Sequence, residues 1–378
     1  MKQTETLEFG VNDLPSRNSK LEKQPIAWAT NLFLLLTPIF GIGGLVYLSS
    51  SHQLVWQSWV LFGFYFVATG ISITGGYHRL FSHKSYEASA PVKIFFLFFG
   101  GAAFQQSVLE WCEGHRIHHK FVDTPDDPYS IKKGFFYAHL GWLFRKKEYT
   151  QFNVKDLEVD PLVKFQHDHY HKLAIFGCFF LPGFISMTWG SFWDGVLISG
   201  ALRVFLVHHV TFFINSLCHT FGERTYSKEQ TARDSWWIAI LTFGEGYHNF
   251  HHEFQTDYRN GIRWFDFDPT KWLIYALSKL GLASNLKVVK QETILRKTLF
   301  LSQKEAISKF IQEQKNVHPE WEAMLEDLRN KAVEIQKQIY DLRIQKSALA
   351  KAILKSKREE LEQVLKTWDL VLNKPQFV

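Results

Sequence analysis

Residues 28–48 read WATNLFLLLTPIFGIGGLVYL, a run of 21 with no charged side chain. Leu54 to Ile73 adds 20 uncharged positions, and Leu173 to Trp193 adds 21. About 20 apolar residues at ~1.5 Å rise cross a hydrocarbon layer of ~30 Å. Inside lipid no water meets the backbone, so each segment must satisfy its own N–H and C=O groups as a helix. These runs predict transmembrane helices over about 28–48, 54–76 and 173–193. A fourth, over 195–217, carries Arg203, His208 and His209. Ionisable groups at that depth are expected to face the bundle or a cavity, not lipid.

Charge sets the expected orientation. Tyr77 to Lys172 holds 13 Lys and Arg, whereas the SSSHQ connector after the first run holds none and Asp194 is the one charge after the third. The positive-inside rule then places the polar segments and both termini in the cytoplasm. The net charge of +6 fits loops beside anionic lipid. No zinc finger, RNP-like motif or basic helix is present, which sets nucleic acid aside. The polar first 26 residues predict no cleavable signal peptide. Three cysteines, Cys112, Cys178 and Cys218, are too few for a disulfide framework and are expected to be buried thiols. Ile94 to Leu109 is uncharged but short for a span. A helix lying at the interface or in the cytoplasmic part is expected there.

Beyond about residue 290 the character changes. Trp321, Leu325, Leu328, Ala332, Ile335, Ile339 and Leu342 alternate spacings of four and three, a heptad stripe. Lys346 interrupts it before Leu349 and Ile353 resume. It predicts a helical hairpin packed on itself or on the membrane part. Self-association through these helices is the alternative.

Seventeen histidines are distributed unevenly. HRLFSH holds His78 and His83, HRIHH holds His115, His118 and His119, and HNFHH holds His248, His251 and His252; His219 follows the fourth run. On a helix, positions i, i+3 and i+4 share a face. HxxHH therefore presents three imidazoles to one point, or to two points close together. Neutral imidazole binds Fe, Zn, Cu and Ni. Nine nitrogen donors are too many for one first-row ion and suit two. A structural zinc site would be closed and usually thiolate-bearing. At the mouth of apolar helices, two metals fit chemistry on an unactivated alkyl chain, which calls for iron and oxygen; zinc does not supply it.

The stretches GGYHRLFSH at 75–83, HRIHHKFVDTPDDP at 115–128, NSLCHTFG at 215–222 and GEGYHNFHHEF at 244–254 resemble the membrane fatty acid desaturases. The likeness is closest to the stearoyl-CoA (acyl-CoA Δ9) desaturase family and runs from about residue 27 to 275. It implies an all-α integral membrane fold of four transmembrane helices, with a helical cytosolic cap holding a histidine-ligated di-iron site. It implies that His78, His83, His115, His118, His119, His219, His248, His251 and His252 bind the metals, with Asn215 acting through a water. Gln105, Trp111 and Thr211 match positions that line an acyl tunnel. The implied reaction is the O2-dependent removal of two neighbouring hydrogens from a saturated acyl chain, most simply acyl-CoA, leaving a cis double bond at Δ9. Animal relatives carry an Arg-Asp pair where this chain has Glu113-Gly114, which leaves acyl carrier protein or a glycerolipid open as carriers. No cytochrome b5 HPGG motif is seen. A separate donor (ferredoxin, cytochrome b5 or a reductase) and a bacterial inner membrane are therefore expected. The expected organisation is a polar segment 1–26, a desaturase domain 27–290 and a helical extension 291–378.

Other residues carry plainer readings. Asp123, Asp126, Asp127, Glu110 and Glu245 are turn or cap residues, or accept the second N–H of a ligand histidine. His167, Asp168, His169 and His171 read as a solvated patch, and His208 and His209 as cavity-lining. His52, His139 and His318 read as surface groups distant from the metals. Arg116 and Lys120 read as packing stems or phospholipid contacts. Rival functions are a di-iron fatty acyl or alkane hydroxylase, a zinc-dependent membrane hydrolase and a metal transporter. The lack of ionisable groups in the first three runs argues against the transporter.

Overall fold

The computed structural model describes residues 24–51, 54–147, 150–313, 319–345 and 347–373. The chain is helical; its paired strands among the described residues are β1 (Glu87–Ala88) and β2 (Ala283–Ser284), antiparallel. Three helices are long and apolar enough to cross a membrane: α1 (Trp28–Ser50), α2 (Trp56–Ser82) and α6 (Phe192–Ser216). α1 leaves Trp28, Leu35, Val46 and Tyr47 more than half exposed, an apolar surface that water would not tolerate as a continuous patch. α1 and α6 touch closely: a Cβ on Gly41 would stand 2.6 Å from the Leu202 backbone. Only a glycine admits that approach.

The third expected span is shorter than its hydropathy suggests. Its helix, α5, covers Tyr170–Ser186 and is too short to count with the other three. The Ser186 hydroxyl donates to the Ser191 carbonyl, and Ser191 and Asp194 form a capping box that starts α6 at Phe192. The expected continuation to Trp193 is thus broken by a turn that caps the next helix.

The run Ile94–Leu109 is not one helix. It divides between α3 (Ala90–Ala102) and α4 (Val108–Phe121). Phe104 and Gln106 adopt positive φ between them, and Ser107 caps α4 through a capping box with Glu110. α3 is about 20 Å long, short of the ~30 Å hydrocarbon layer. Its last carbonyls would be orphans, but Arg203 Nη1 donates to the Ala102 carbonyl at 2.7 Å and His208 Nε2 lies 3.0 Å from the Ala103 carbonyl. A cation at a helix C-terminus also meets the negative end of its dipole. The ionisable groups of α6 therefore face the bundle, as expected, and stop a half-length helix inside it.

Residues of α2, α3 and α4 share one core, centred on Ile73, Tyr77, Phe96, Leu109 and Cys112. All three cysteines are buried and free. A separate core joins α8 (Gln291–Gln312), α9 (Pro319–Gln345) and α10 (Ala348–Leu372). Trp321, Leu325, Ala332, Ile335 and Ile339 are buried there, so the heptad stripe is covered by its own neighbours. Leu349 is 72% exposed and does not continue it. Lys346, His52, His318 and the first 23 residues lie outside the described ones.

Candidate metal centre

The first histidine pair sits at the end of α2. At a spacing of five, His78 and His83 would stand about 140° apart on an α-helix. Residues Ser72–Ser82 are π-helical, and the His83 N–H bonds the His78 carbonyl. The wider turn brings i and i+5 onto one face, and the two rings lie 4.8 Å apart. The second triplet lies on α4, and the third on the six-residue helix α7 (His248–Glu253). Asp234 Oδ1 accepts the Asn249 and Phe250 N–H groups and so caps α7.

The nine rings form two sets. His78, His83, His115, His119 and His251 make one; His118, His219, His248 and His252 make the other. Each HxxHH triplet divides the same way: its i and i+4 members go to one set and its i+3 member to the other. Nε2 atoms meet across the fold: His78 and His251 at 2.9 Å, His83 and His115 at 2.8 Å, His119 and His251 at 3.0 Å. In the second set the spacings are 3.0 Å for His248–His252, 3.2 Å for His219–His248 and 3.3 Å for His118–His252. Two nitrogens each about 2.1 Å from one ion and at right angles to it would stand about 3.0 Å apart. One ring proton cannot serve a nitrogen with two such neighbours. The donor sets therefore fit two imidazole-bound first-row ions.

The outer nitrogens fix the tautomers. His78 Nδ1 lies 3.0 Å from Glu245 Oε2, and His118 Nδ1 lies 2.8 Å from Asp127 Oδ1. A carboxylate only accepts, so each Nδ1 carries the proton and each Nε2 offers its lone pair. His219 Nδ1 meets Thr231 Oγ1 at 2.8 Å, and that hydroxyl donates to Asp123 Oδ1 at 2.6 Å. Burial raises the Glu245 carboxyl, but His78 and Arg79 outweigh it and hold it below the usual range. Burial likewise opposes ionised Asp127, and His118 with the Asp123 and Tyr129 N–H groups outweighs it. Burial, then the neighbouring rings, pushes His83, His115, His119, His248, His251 and His252 well below their ordinary value. His219 falls to about 3 for the same reasons. Neutral rings are the ligand form.

Residues 54–283 match the family model described as fatty acid desaturase. The chain belongs to the fatty acid desaturase family. It is 42% identical over 269 residues to acyl-CoA desaturase 1 of Saccharomyces cerevisiae, covering 70% of this chain and 52% of that protein. It is 34% identical over 280 residues to stearoyl-CoA desaturase 5 of Bos taurus, covering 72% and 83%. It is 36% identical over 252 residues to Delta(9)-fatty-acid desaturase fat-7 of Caenorhabditis elegans, covering 64% and 74%. The chain thus spans about half the length of the yeast relative. These relatives are eukaryotic, and the expected bacterial membrane finds no support among them.

Within this desaturase-family chain the remaining expected site residues divide. Gln105 Nε2 donates to Thr211 Oγ1 at 2.8 Å. Trp111 stacks on His115, with ring centroids 4.9 Å apart. Asn215 is half-buried in the last turn of α6, and Asp126 is half-buried in the turn after the second box. Glu110 serves the α4 capping box and not a ligand ring. The patch at 167–171 stays out of both sets: His167 meets Ser107, Asp168 pairs with Lys164 and His169 meets the Phe165 carbonyl.

Two further readings are corrected, and Glu113 gains a structural role. His139 is not a surface group: its ring bridges His209 at 2.9 Å and Ser216 at 3.0 Å. Arg116 is more than a packing stem, donating to the Phe81 and Ser82 carbonyls and to Asp156. Glu113, at the position that differs from animal relatives, is buried and accepts the Thr150 and Phe152 N–H groups at 3.0 and 2.8 Å. It anchors a loop.

Sequence reading passed over Arg79, Asp268, Asn260, Thr231 and Asn249. Arg79 is buried between Glu245 and Asp268 at 3.0 Å each, and Asn260 donates to Glu245 Oε2 at 2.7 Å. Asn249 binds the loop at 226–232 from inside the third box. Arg79 and Asn249 lie within the histidine boxes, a signal that was present. Asn260, Thr231 and Asp268 lie outside the boxes, 8, 12 and 16 residues beyond the preceding site histidine.

Proposed function

We propose that this protein is an O2-dependent acyl desaturase that introduces a cis double bond, at Δ9, into a saturated acyl chain carried by CoA. One observation carries the reading: nine histidine nitrogens, from segments up to 173 residues apart, converge in two sets beside apolar helices. The names of the yeast, cattle and nematode relatives support acyl-CoA and Δ9. The proposed ligands are the nine histidines in the five-and-four division, with Asn215 joining through a water. The proposed topology has four spans, α1, α2, α5 and α6, with termini and metal site in the cytoplasm and residues 27–290 as the catalytic unit.

Bound iron would supply the oxygen chemistry that an unactivated C–H bond requires. The chain's own residues do the rest. Glu245, Asp127 and the Thr231–Asp123 pair keep three ring protons on the outer nitrogens. Arg79 pairs with both Glu245 and Asp268, so the carboxylate behind His78 is not buried unpaired. Gln105 and Thr211 hold each other where an acyl chain would bend past Trp111, and buried apolar side chains exclude water.

Fatty-acid profiling of an unsaturated-deficient host tests the proposal. Expression of the parent chain should yield new monounsaturated acyl chains, and the His118→Ala variant none. A hydroxylated product without new double bonds would transfer the reading to the hydroxylases of the same superfamily.

A further inference from the structure

The loop that follows α6 doubles back on itself. Glu223 and Asp234 exchange backbone hydrogen bonds at 2.9 and 2.8 Å. A cavity of about 370 Å³ opens beside them, lined by Gly222, Glu223, Arg224, Thr225, Lys228 and Arg233. Three cations there face one acid. Arg224 and Arg233 are half-buried. Arg224 Nη1 donates to the Lys228 carbonyl at 3.2 Å and Arg233 Nη1 to the Gly222 carbonyl at 3.0 Å. Among the described residues no carboxylate pairs with either arginine, and Arg233 Nε finds no acceptor. The carbonyls thus fix both guanidinium groups without cancelling their charge. Lys228 pairs with Glu305, and both are exposed. Apolar groups flank the same loop. Phe221 precedes it, and the short helix Trp236–Leu241 follows it. Phe221, Trp236, Trp237, Ile240 and Leu241 are all exposed. Just beyond them, Phe243 packs on Gly70 of α2, its ring centroid 5.6 Å from that of Phe66. Gly70 stands 14 residues along α2 from Trp56. That is about 21 Å, within a hydrocarbon layer of ~30 Å. Phe221 lies five residues past Ser216, where the α6 span ends. The exposed apolar groups therefore meet lipid, and the cations stand beside them at the surface of the bilayer.

We propose that this cavity binds the phosphate of an anionic membrane phospholipid, whose acyl chains lie along Phe221 and the Trp236–Leu241 helix. The proposal goes beyond the desaturase reading and does not depend on it. Guanidinium forks match phosphate oxygens in pairs. Basic pockets at a membrane surface take anionic headgroups, and indole rings settle at the boundary of water and lipid. A zwitterionic headgroup would bring its own ammonium towards Arg224, Lys228 and Arg233, so the site discriminates against it.

The test uses the full chain, stripped of lipid in detergent, and three probes: dioleoyl-phosphatidic acid, dioleoyl-phosphatidylcholine and inorganic phosphate. Native mass spectrometry follows the lipid retained. The first phosphatidic acid should bind the parent about tenfold more tightly than phosphatidylcholine does, and it should raise Tm. Arg224→Gln/Arg233→Gln should weaken that binding about tenfold and abolish the rise in Tm. Glu223→Gln keeps both arginines and removes the opposing acid. It should bind phosphatidic acid about threefold more tightly, a gain that misfolding does not produce. Lys331→Gln/Lys337→Gln, exposed lysines of α9, should bind as the parent does. Excess inorganic phosphate should leave the lipid in place. Equal affinity for the two lipids, unchanged binding in the arginine pair, no gain in Glu223→Gln, or the same loss in the α9 pair would overturn the proposal. Displacement of the lipid by inorganic phosphate would overturn it in favour of a site for free phosphate.

Discussion

At His78 and His118 one carboxylate decides what the ring can do. Glu245 and Asp127 hold the outer protons, and without them each ring is free to turn its N–H inward. Glu245→Gln and Asp127→Asn are each expected to lower metal affinity about 10–100-fold. Iron retained after competition with a chelator measures it. Titration offers a second check. Histidines free in the unfolded chain protonate near pH 6.5, whereas burial and neighbouring rings hold these well below that. Their contribution to stability is present above about pH 6.5 and is lost as pH falls, at up to about 1.4 kcal/mol per pH unit per ring. The metal-free protein should therefore show a falling Tm below about pH 6.5. A flat profile would contradict neutral buried rings. Which residues bear nitrogen ligands was legible in the boxes; which acid meets which ring was not. Asp127 lies nine residues from His118, but Glu245 reaches His78 from 167 positions away.

At the scale of elements, the HxxHH spacing already put three imidazoles on one helical face. It left open whether they serve one point or two. The HxxxxH pair needed more, because its spacing suits only a π-wound end of α2. Hydropathy also overran the true ends of α3 and α5, since it reads composition and not the capping and turn groups that stop a helix. Arg203 is one such group. Arg203→Leu would strand the Ala102 carbonyl inside the bundle and should cost about 1.5–3 kcal/mol, and His208→Ala about 1 kcal/mol. Thermal unfolding in detergent should rank them in that order.

Across the whole molecule, three apolar cores are buried among the described residues: one behind the histidine sets, one within α8, α9 and α10, and a small one between α1 and α6 at Leu48, Ile198 and Leu202. The second meets the first through ion pairs such as Lys297–Glu253 at 2.7 Å and Lys228–Glu305 at 2.8 Å. Both are partly exposed, and such pairs contribute little. Trp321, fully buried with its Nε1 bonded to the Val371 carbonyl, holds the second core together. Trp321→Ala should cost that unit about 3–5 kcal/mol and lower its unfolding transition. Iron content should stay unchanged, whereas loss of iron would mean the two cores unfold as one.

The sequence by itself determined that apolar runs are long enough to enter a membrane, that eight histidines recur within a turn or two of one another, and that a heptad unit follows. Each is a property of composition or of spacing within a turn or two. Only the tertiary structure decided how nine nitrogens divide into five and four, which acids set their protons, and that Glu113 anchors a loop. Those partners are separated by tens to hundreds of residues. Local periodicity states which way a side chain points from its own helix, not what arrives there from another.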